Sequence, residues 1–131
     1  MCLETKVSGY GKVVISMTIR GLVNKNVYKC INVGDDLDIE IEKPFCCDLL
    51  SIAMGRAPKN SAWITVMGNV NRLAVASLAD VSCIILAEGA NLDEGAIQKA
   101  KEQKITVFAS DLPIFDISLQ IHGWIHDTTF L

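Results

Sequence analysis

The chain lacks the features that mark several classes of protein. No apolar run reaches the roughly 18 residues of a membrane-spanning helix, and the longest candidate, from Leu73 to Ala87, is interrupted by Asp80. There is no run of basic residues and the formal net charge is −3, whereas nucleic-acid binding depends on clustered Lys and Arg. The sequence therefore predicts neither a membrane protein nor a nucleic-acid-binding protein.

Motifs for tight phosphate binding, export and disulfide formation are missing as well. Neither GxGxxG nor GxxxxGKS/T occurs, so no polyphosphate cradle is expected. The first residues do not have the basic-then-apolar order of a signal peptide. The five cysteines are an odd number without a CxxC pair, which favours reduced thiols in a cytoplasm. We therefore expect a cytoplasmic protein, with no cofactor.

What the chain does contain is an alternation of strand and helix patterns over residues 61–110. Short apolar strands are predicted at Ala62–Met67, Ser82–Ala87 and Ile105–Ala109, with helix patterns at Arg72–Leu78 and Leu92–Gln103 between them. The strand at Ser82–Ala87 is apolar throughout, as is typical of a strand covered on both faces. Because this alternation requires crossover connections, the sequence predicts a single α/β domain, a three-layer sandwich around a mostly parallel sheet.

The flanking segments complete the predicted domain. Residues 1–16 are interpreted as a weakly ordered lead-in or short strand, and residues 17–131 as the α/β domain. Ahead of the alternating unit we predict a helix and three strands, at Met17–Asn24, Val27–Val33, Leu37–Glu42 and Pro44–Cys47.

Capping residues predict where the helices begin. Asp48 is expected to cap a helix from Leu49 to Met54 that Gly55 ends, and Asn71 and Asn91 to cap the two helices of the alternating unit. Ser110 or Asp111 then caps a final helix. Its core stripe at helical spacing is Ile114, Ile117, Ile121, Trp124 and Ile125.

A second apolar row on that final helix, Phe115 and Leu119, lies off the core stripe. Half of all residues in this short chain are hydrophobic, and a small domain has little interior to hide them. The sequence therefore predicts a homodimer in which one face of the final helix packs on the sheet and the other on a partner.

Three loops are predicted to meet at one edge of the sheet, because ligands of parallel α/β sheets bind beyond the carboxyl ends of the strands. The candidate ligand-binding residues are Gly68, Asn69, Asn71, Glu88, Gly89, Ser110 and Asp111. The alternative is that Asn71, Asn91 and Ser110 serve only as helix caps. No nucleophile with a base accompanies these residues, so no catalytic residue is predicted.

Two further pairs of side chains are candidates for chemical sites. Cys46 and Cys47 precede a predicted helix whose dipole would favour a thiolate, which leaves a redox or metal-handling role open. His122 and His126 share a helix face, but the sequence offers no clear third ligand, so no metal site is predicted.

Several short segments, in this order and spacing, resemble the small stand-alone DRTGG domain of anaerobic bacteria. The segments that carry the resemblance are Asp48–Ser51, Met54–Gly55, Ala62–Thr65, Asn71, Ala74–Ala76, Ile84–Ile85, Glu88–Gly89 and Ser110–Asp111. The likeness extends over roughly residues 17–125, although residues 42–47 stand where the family has its eponymous motif.

The resemblance implies a compact α/β fold similar to the N-terminal domain of HPr kinase/phosphorylase, and no enzymatic activity. It implies a regulatory or scaffolding module that homodimerises and binds a small ligand such as a nucleotide, with a protein partner in a redox or signalling complex as a further expectation. The alternative is a redox or metal-handling accessory protein that uses Cys46 and Cys47 and is associated with iron-hydrogenase systems.

Overall fold

The computed structural model describes the backbone of residues 4–7 and 13–126 and the side chains of residues 17–126. Parts of the predicted lead-in, residues 1–3 and 8–12, and the end of the predicted domain, residues 127–131, lie outside the described residues. In chain order the elements are β1 (Glu4–Val7), β2 (Val13–Thr18), α1 (Ile19–Lys25), β3 (Lys29–Asn32), β4 (Glu40–Ile41), β5 (Lys43–Cys46), α2 (Leu50–Arg56), β6 (Ser61–Thr65), α3 (Val70–Ala79), β7 (Cys83–Leu86), α4 (Glu94–Gln103), β8 (Val107–Ala109) and α5 (Ile114–Ile125).

The main sheet has five strands in the order β3-β8-β7-β6-β5. Strands β5 to β8 are parallel, and β3 runs antiparallel to β8 at the edge. A smaller antiparallel sheet has the order β1-β2-β4. The predicted α/β fold with a mostly parallel central sheet is therefore confirmed.

Different helices cover the two faces of the main sheet. Along β7, Cys83 and Ile85 belong to the apolar cluster that contains α1 and α5, whereas Ile84 and Leu86 belong to the cluster that contains α2, α3 and α4. This alternation is the period of two of a strand whose faces are both buried. Helices α2, α3 and α4 each connect two neighbouring parallel strands of the series β5 to β8. Because such crossovers are right-handed, all three helices lie on one face.

The predicted strand over Leu37–Glu42 is largely wrong. Only Glu40–Ile41 is a strand. The segment before it forms a turn, and its carbonyl groups accept hydrogen bonds from α1. The carbonyl oxygens of Leu37 and Ile39 accept hydrogen bonds of 2.8 and 3.0 Å from the first backbone N–H groups of that helix. Since those N–H groups have no partner within the helix, the segment caps a helix instead of extending a sheet.

Several predicted helix boundaries are corrected by the contacts around them. Asn69, not Asn71, caps α3, because its Oδ1 accepts from the backbone N–H of Arg72 at 3.0 Å. Neither Asp48 nor Asn91 caps a helix: α2 begins after Leu49 and α4 after Asp93, and neither of these two residues makes a side-chain capping bond.

The boundaries of α2 and α5 also differ from the prediction. Helix α2 continues through Gly55 to Arg56. Helix α5 follows Pro113 as its N-cap residue, so neither Ser110 nor Asp111 caps it.

Helix α5 shows the two apolar faces that its spacing predicts. Its inner residues Ile117 and Ile121 are fully buried against the sheet. Phe115 and Leu119 are 71% and 58% exposed on the outside. Within the described part of the chain, no helix combines the length and the apolar character needed to cross a membrane.

Candidate functional site

A hollow of about 280 Å³ lies at the carboxyl ends of β7 and β8, where ligands bind in parallel α/β sheets. We call it the Lys29 hollow. It is lined by Lys29, Gly89, Ala90, Asn91, Ala109, Ser110 and Asp111. Three of the seven predicted ligand-binding residues, Gly89, Ser110 and Asp111, are therefore brought together at its wall.

Hydrogen bonds between two loops shape this hollow. After β7, the backbone N–H groups of Glu88 and Gly89 donate to the carbonyl oxygens of Leu112 and Ser110, at 2.9 and 3.0 Å. Glu88 and Gly89 have φ angles of 58° and 74°, and the left-handed region favours glycine at the second position. A Cβ at Gly89 would lie 3.2 Å from Asp111 Oδ1, so a side chain there would narrow the hollow.

Lys29 is the functional candidate that sequence reasoning missed. It begins β3 and pairs with Ala109, the last residue of β8. Because β3 is antiparallel to β8, its first residue lies at the carboxyl end of the parallel strands. The alternating pattern predicted the strand, but not its direction or its place in the sheet. Among the described residues that line the hollow, Lys29 supplies the positive charge and Asp111 the negative charge.

The loop after β6 does not line the hollow, although it was predicted to. Gly68 packs against the loop after β7: a Cβ on it would overlap the carbonyl oxygen of Asn91, and its own carbonyl accepts from Asp93 N–H at 2.8 Å. Asn69 caps α3, and Asn71 is exposed in the first turn of that helix. Of these three residues, only Gly68 contacts the neighbouring loop. Glu88 is exposed and does not line the hollow.

A second hollow, of about 130 Å³, lies at the opposite end of the parallel strands, where β7 and β8 begin. It is lined in part by Asp35, Asp80, Lys104 and Thr106, and Lys104 forms an ion pair of 2.7 Å with Asp35. That ion pair raises the pKa of Lys104. We take the Lys29 hollow as the candidate site because it is larger and its lysine makes no ion pair among the described residues.

The two adjacent cysteines lie before α2, but neither is in its first turn. Cys46 ends β5, is exposed, and has its Sγ 2.7 Å from Ser118 Oγ. Cys47 is half-buried, and its thiol donates to the carbonyl oxygen of Leu49 at 3.4 Å. A redox role for these thiols therefore stays a prediction. Cys83 is fully buried, as predicted, and burial raises the pKa of its thiol.

The two histidines are neighbours, as predicted, although His126 is the C-cap residue just after α5. The rings of His122 and His126 have centroids 4.3 Å apart. Partial burial, and then the charge of His122, lower the pKa of His126. In residues 17–126, no three His, Cys, Asp or Glu side chains are grouped so as to hold a metal ion.

Comparison with known proteins shows a likeness of fold to solved structures. No protein-family model and no curated protein matches the chain. A crystal structure does match it: the CBS and DRTGG domains of the regulatory region of Clostridium perfringens pyrophosphatase, complexed with the activator diadenosine tetraphosphate. The TM-score is 0.64 at 16% sequence identity, over 80% of this chain and 46% of that one. The chain thus spans less than half the length of the matched chain, and the likeness supports a fold of the DRTGG or CBS kind.

Proposed function

We propose that this chain is a non-catalytic regulatory or scaffolding module that homodimerises and binds a small nucleotide in the Lys29 hollow. The observation that carries the proposal is the hollow itself, where a cation, an acid and an amide converge at the ligand-binding edge of the sheet. The shared fold supports it, because the matched structure is a regulatory region bound to a nucleotide activator.

The lining of the hollow divides into parts suited to different groups of a nucleotide. The Lys29 ammonium is a point charge for a phosphate. The carboxylate of Asp111 and the amide of Asn91 accept and donate hydrogen bonds to ribose hydroxyls or base nitrogens. Gly89, without a Cβ, lets a ligand approach the backbone. With a single lysine, the hollow is matched to one or two phosphates better than to a long polyphosphate chain.

The experiment is isothermal titration calorimetry with AMP, ADP, ATP and diadenosine tetraphosphate, on the wild type and on Lys29→Ala. At least one nucleotide should bind the wild type, and Lys29→Ala should weaken that binding by about tenfold or more. Lys43→Ala is the matched control, because Lys43 is an exposed lysine on β5 at the opposite edge of the sheet. No binding by any nucleotide, or equal losses in both variants, would contradict the assignment.

The homodimer is supported by the outer face of α5, where Phe115 and Leu119 are exposed. Exposed apolar side chains of this size on one helix face favour burial against a second copy. Light scattering coupled to size-exclusion chromatography should give twice the chain mass for the wild type and a smaller mass for Phe115→Ser with Leu119→Ser. A monomeric wild type at micromolar concentration would refute the dimer without affecting the hollow.

A further inference from the structure

A charged side chain is buried at the carboxyl ends of β5 and β6, among residues that do not line the Lys29 hollow. Arg72, in the first turn of α3, is 5% exposed. Its guanidinium carbon lies 5.7 Å from the centroid of the Trp63 ring, and its Nη2 donates to the carbonyl oxygen of Asp48. We call Asp48, Trp63, Thr65 and Arg72 the Arg72 corner.

Two of the three guanidinium nitrogens in this corner have no hydrogen-bond partner. Nε and Nη1 of Arg72 are both buried and unpaired within the described part of the chain. A buried donor without a partner destabilises the folded state, and a buried ion adds a desolvation penalty. This corner therefore carries a cation whose hydrogen-bonding capacity the fold itself does not use.

Two side-chain oxygens near Arg72 accept hydrogen bonds from other donors. Oδ1 of Asp48 accepts from Thr65 Oγ1 and from the backbone N–H of Val66. Oδ1 of Asn69 accepts from the backbone N–H of Arg72 itself. No carboxylate within residues 17–126 forms an ion pair with the guanidinium.

We propose that the Arg72 corner is an oxyanion-binding site, separate from the Lys29 hollow, that takes a phosphate or carboxylate group on the free guanidinium donors. Both groups carry oxygens that accept charge-assisted hydrogen bonds from Nε–H or from Nη1–H, and such bonds are stronger than neutral ones. The site lies where the ten-residue helix α3 begins, so the helix dipole adds favourable potential for an anion.

An entry route for the anion passes the segment between β5 and α2. Asp48 and Leu49 in that segment are exposed, and Leu49 as N-cap residue makes no side-chain bond to α2. The carbonyl oxygen of Asp48 covers one guanidinium nitrogen. Uncovering the guanidinium requires this segment to move, which breaks its hydrogen bonds with Trp63, Thr65 and Arg72.

The test uses inorganic phosphate and acetate, each titrated against sodium chloride of equal ionic strength. Trp63 packs against the guanidinium, so binding should change its fluorescence saturably with phosphate, with acetate, or with both, and the responding anion identifies the class of group bound. Arg72→Met should weaken the response at least about tenfold. Arg56→Met, which removes an exposed arginine from α2, and Lys29→Ala should both leave it unchanged.

A second measurement keeps the proposal testable if Arg72→Met does not fold. The chain has three arginines, Arg20, Arg56 and Arg72, so the arginine Nε–H signals of the wild type can be resolved by NMR. The Arg72 signal should shift saturably with the anion that changes the fluorescence. An Arg72 signal that is unchanged throughout both titrations overturns the oxyanion site, whereas loss of nucleotide binding in Lys29→Ala bears only on the hollow.

Discussion

Lys29 and Arg72 are basic side chains at the same end of one sheet, in opposite surroundings. Lys29 stands in an open hollow and is exposed to solvent. Arg72 is buried beneath a loop, against the ring of Trp63. An exposed ammonium keeps its hydration, whereas a buried guanidinium has lost most of it. The Lys29 hollow therefore reduces the free energy of unfolding little. The buried charge of the Arg72 corner reduces it more, and the packing around that corner must offset the loss.

Because of this difference in burial, some of these residues can be changed without unfolding the protein and others cannot. Residues of the Lys29 hollow sit on loops and at strand ends, so their substitution should alter binding and leave stability nearly intact. In the Arg72 corner, Trp63 belongs to the apolar cluster beneath α2 and α3, and Thr65 and Arg72 are buried, so substitution of these three residues should alter both binding and stability.

Replacing Trp63 with Ala should have the largest effect. Trp63 is fully buried, lies beneath the Arg72 guanidinium, and its Nε1–H donates to the carbonyl oxygen of Cys47 at 2.8 Å. We expect a loss of about 3–5 kcal/mol in the free energy of unfolding, measured by urea denaturation. Lys29→Ala in the same assay should change it by less than about 0.5 kcal/mol. Similar losses in the two variants would erase the contrast between the two regions.

Gly68→Ala should have the next largest effect, because a Cβ there overlaps the carbonyl oxygen of Asn91. We expect a destabilisation of about 1–3 kcal/mol from this overpacking. Gly55→Ala is the control: it lies within α2, with no atom within 4 Å of the added Cβ. It should stabilise the protein by about 0.5–1 kcal/mol. A harmless Gly68→Ala would show that the loops after β6 and β7 are not packed together.

Asn69→Ala should weaken the helix that carries Arg72. Its Oδ1 satisfies the backbone N–H of Arg72, and loss of such a cap costs about 1 kcal/mol. Asn71→Ala should change the unfolding free energy by less than about 0.5 kcal/mol, because Asn71 is exposed and does not cap α3. Thermal melts of the two variants rank their stabilities. A larger loss in Asn71→Ala than in Asn69→Ala would show that Asn71 caps α3, as the sequence predicts.

The smallest effect concerns His126, which belongs to neither region. Its pKa is lowered from the ordinary value of 6.5, first by burial and then by His122. The unfolded chain therefore binds this proton more readily, so His126 contributes stability above the unfolded pKa that is lost as the pH falls through the folded pKa. The melting temperature should fall more between about pH 7.5 and about pH 5.5 in the wild type than in His126→Gln. Parallel pH profiles would remove His126 as the cause.

Much of the fold was predictable because its signals are local. The apolar run at Cys83–Leu86 and the helix patterns beside it need no knowledge of distant residues, and α3, α4 and β6 to β8 follow from them. The caps were less predictable. Asn69 and Asn71 are both good cap residues, and the choice depends on where the loop after β6 ends. The packing of Gly68 against Asn91, a tertiary contact, fixes that point.

The candidate sites were predictable only in part, for the same reason. Gly89, Ser110 and Asp111 follow strands whose direction is set by the alternation, so their meeting could be foreseen. Lys29 required the strand order and the antiparallel direction of β3. Arg72 resembles an ordinary helix residue in the sequence, and its burial follows from the loop at Asp48, which is tied to Thr65 from another strand.

The order of the main sheet gives the Lys29 hollow a further property. Strands β5, β6, β7 and β8 lie side by side in the order in which they occur in the chain, so each joins its predecessor through a single helical crossover. Strand β3 precedes all four in sequence yet pairs with the last of them, and such non-local pairing carries the largest closure entropy. The hollow is complete only after β3 has paired with β8, so a ligand bound there, as proposed, would stabilise this long-range pairing and with it the folded sheet.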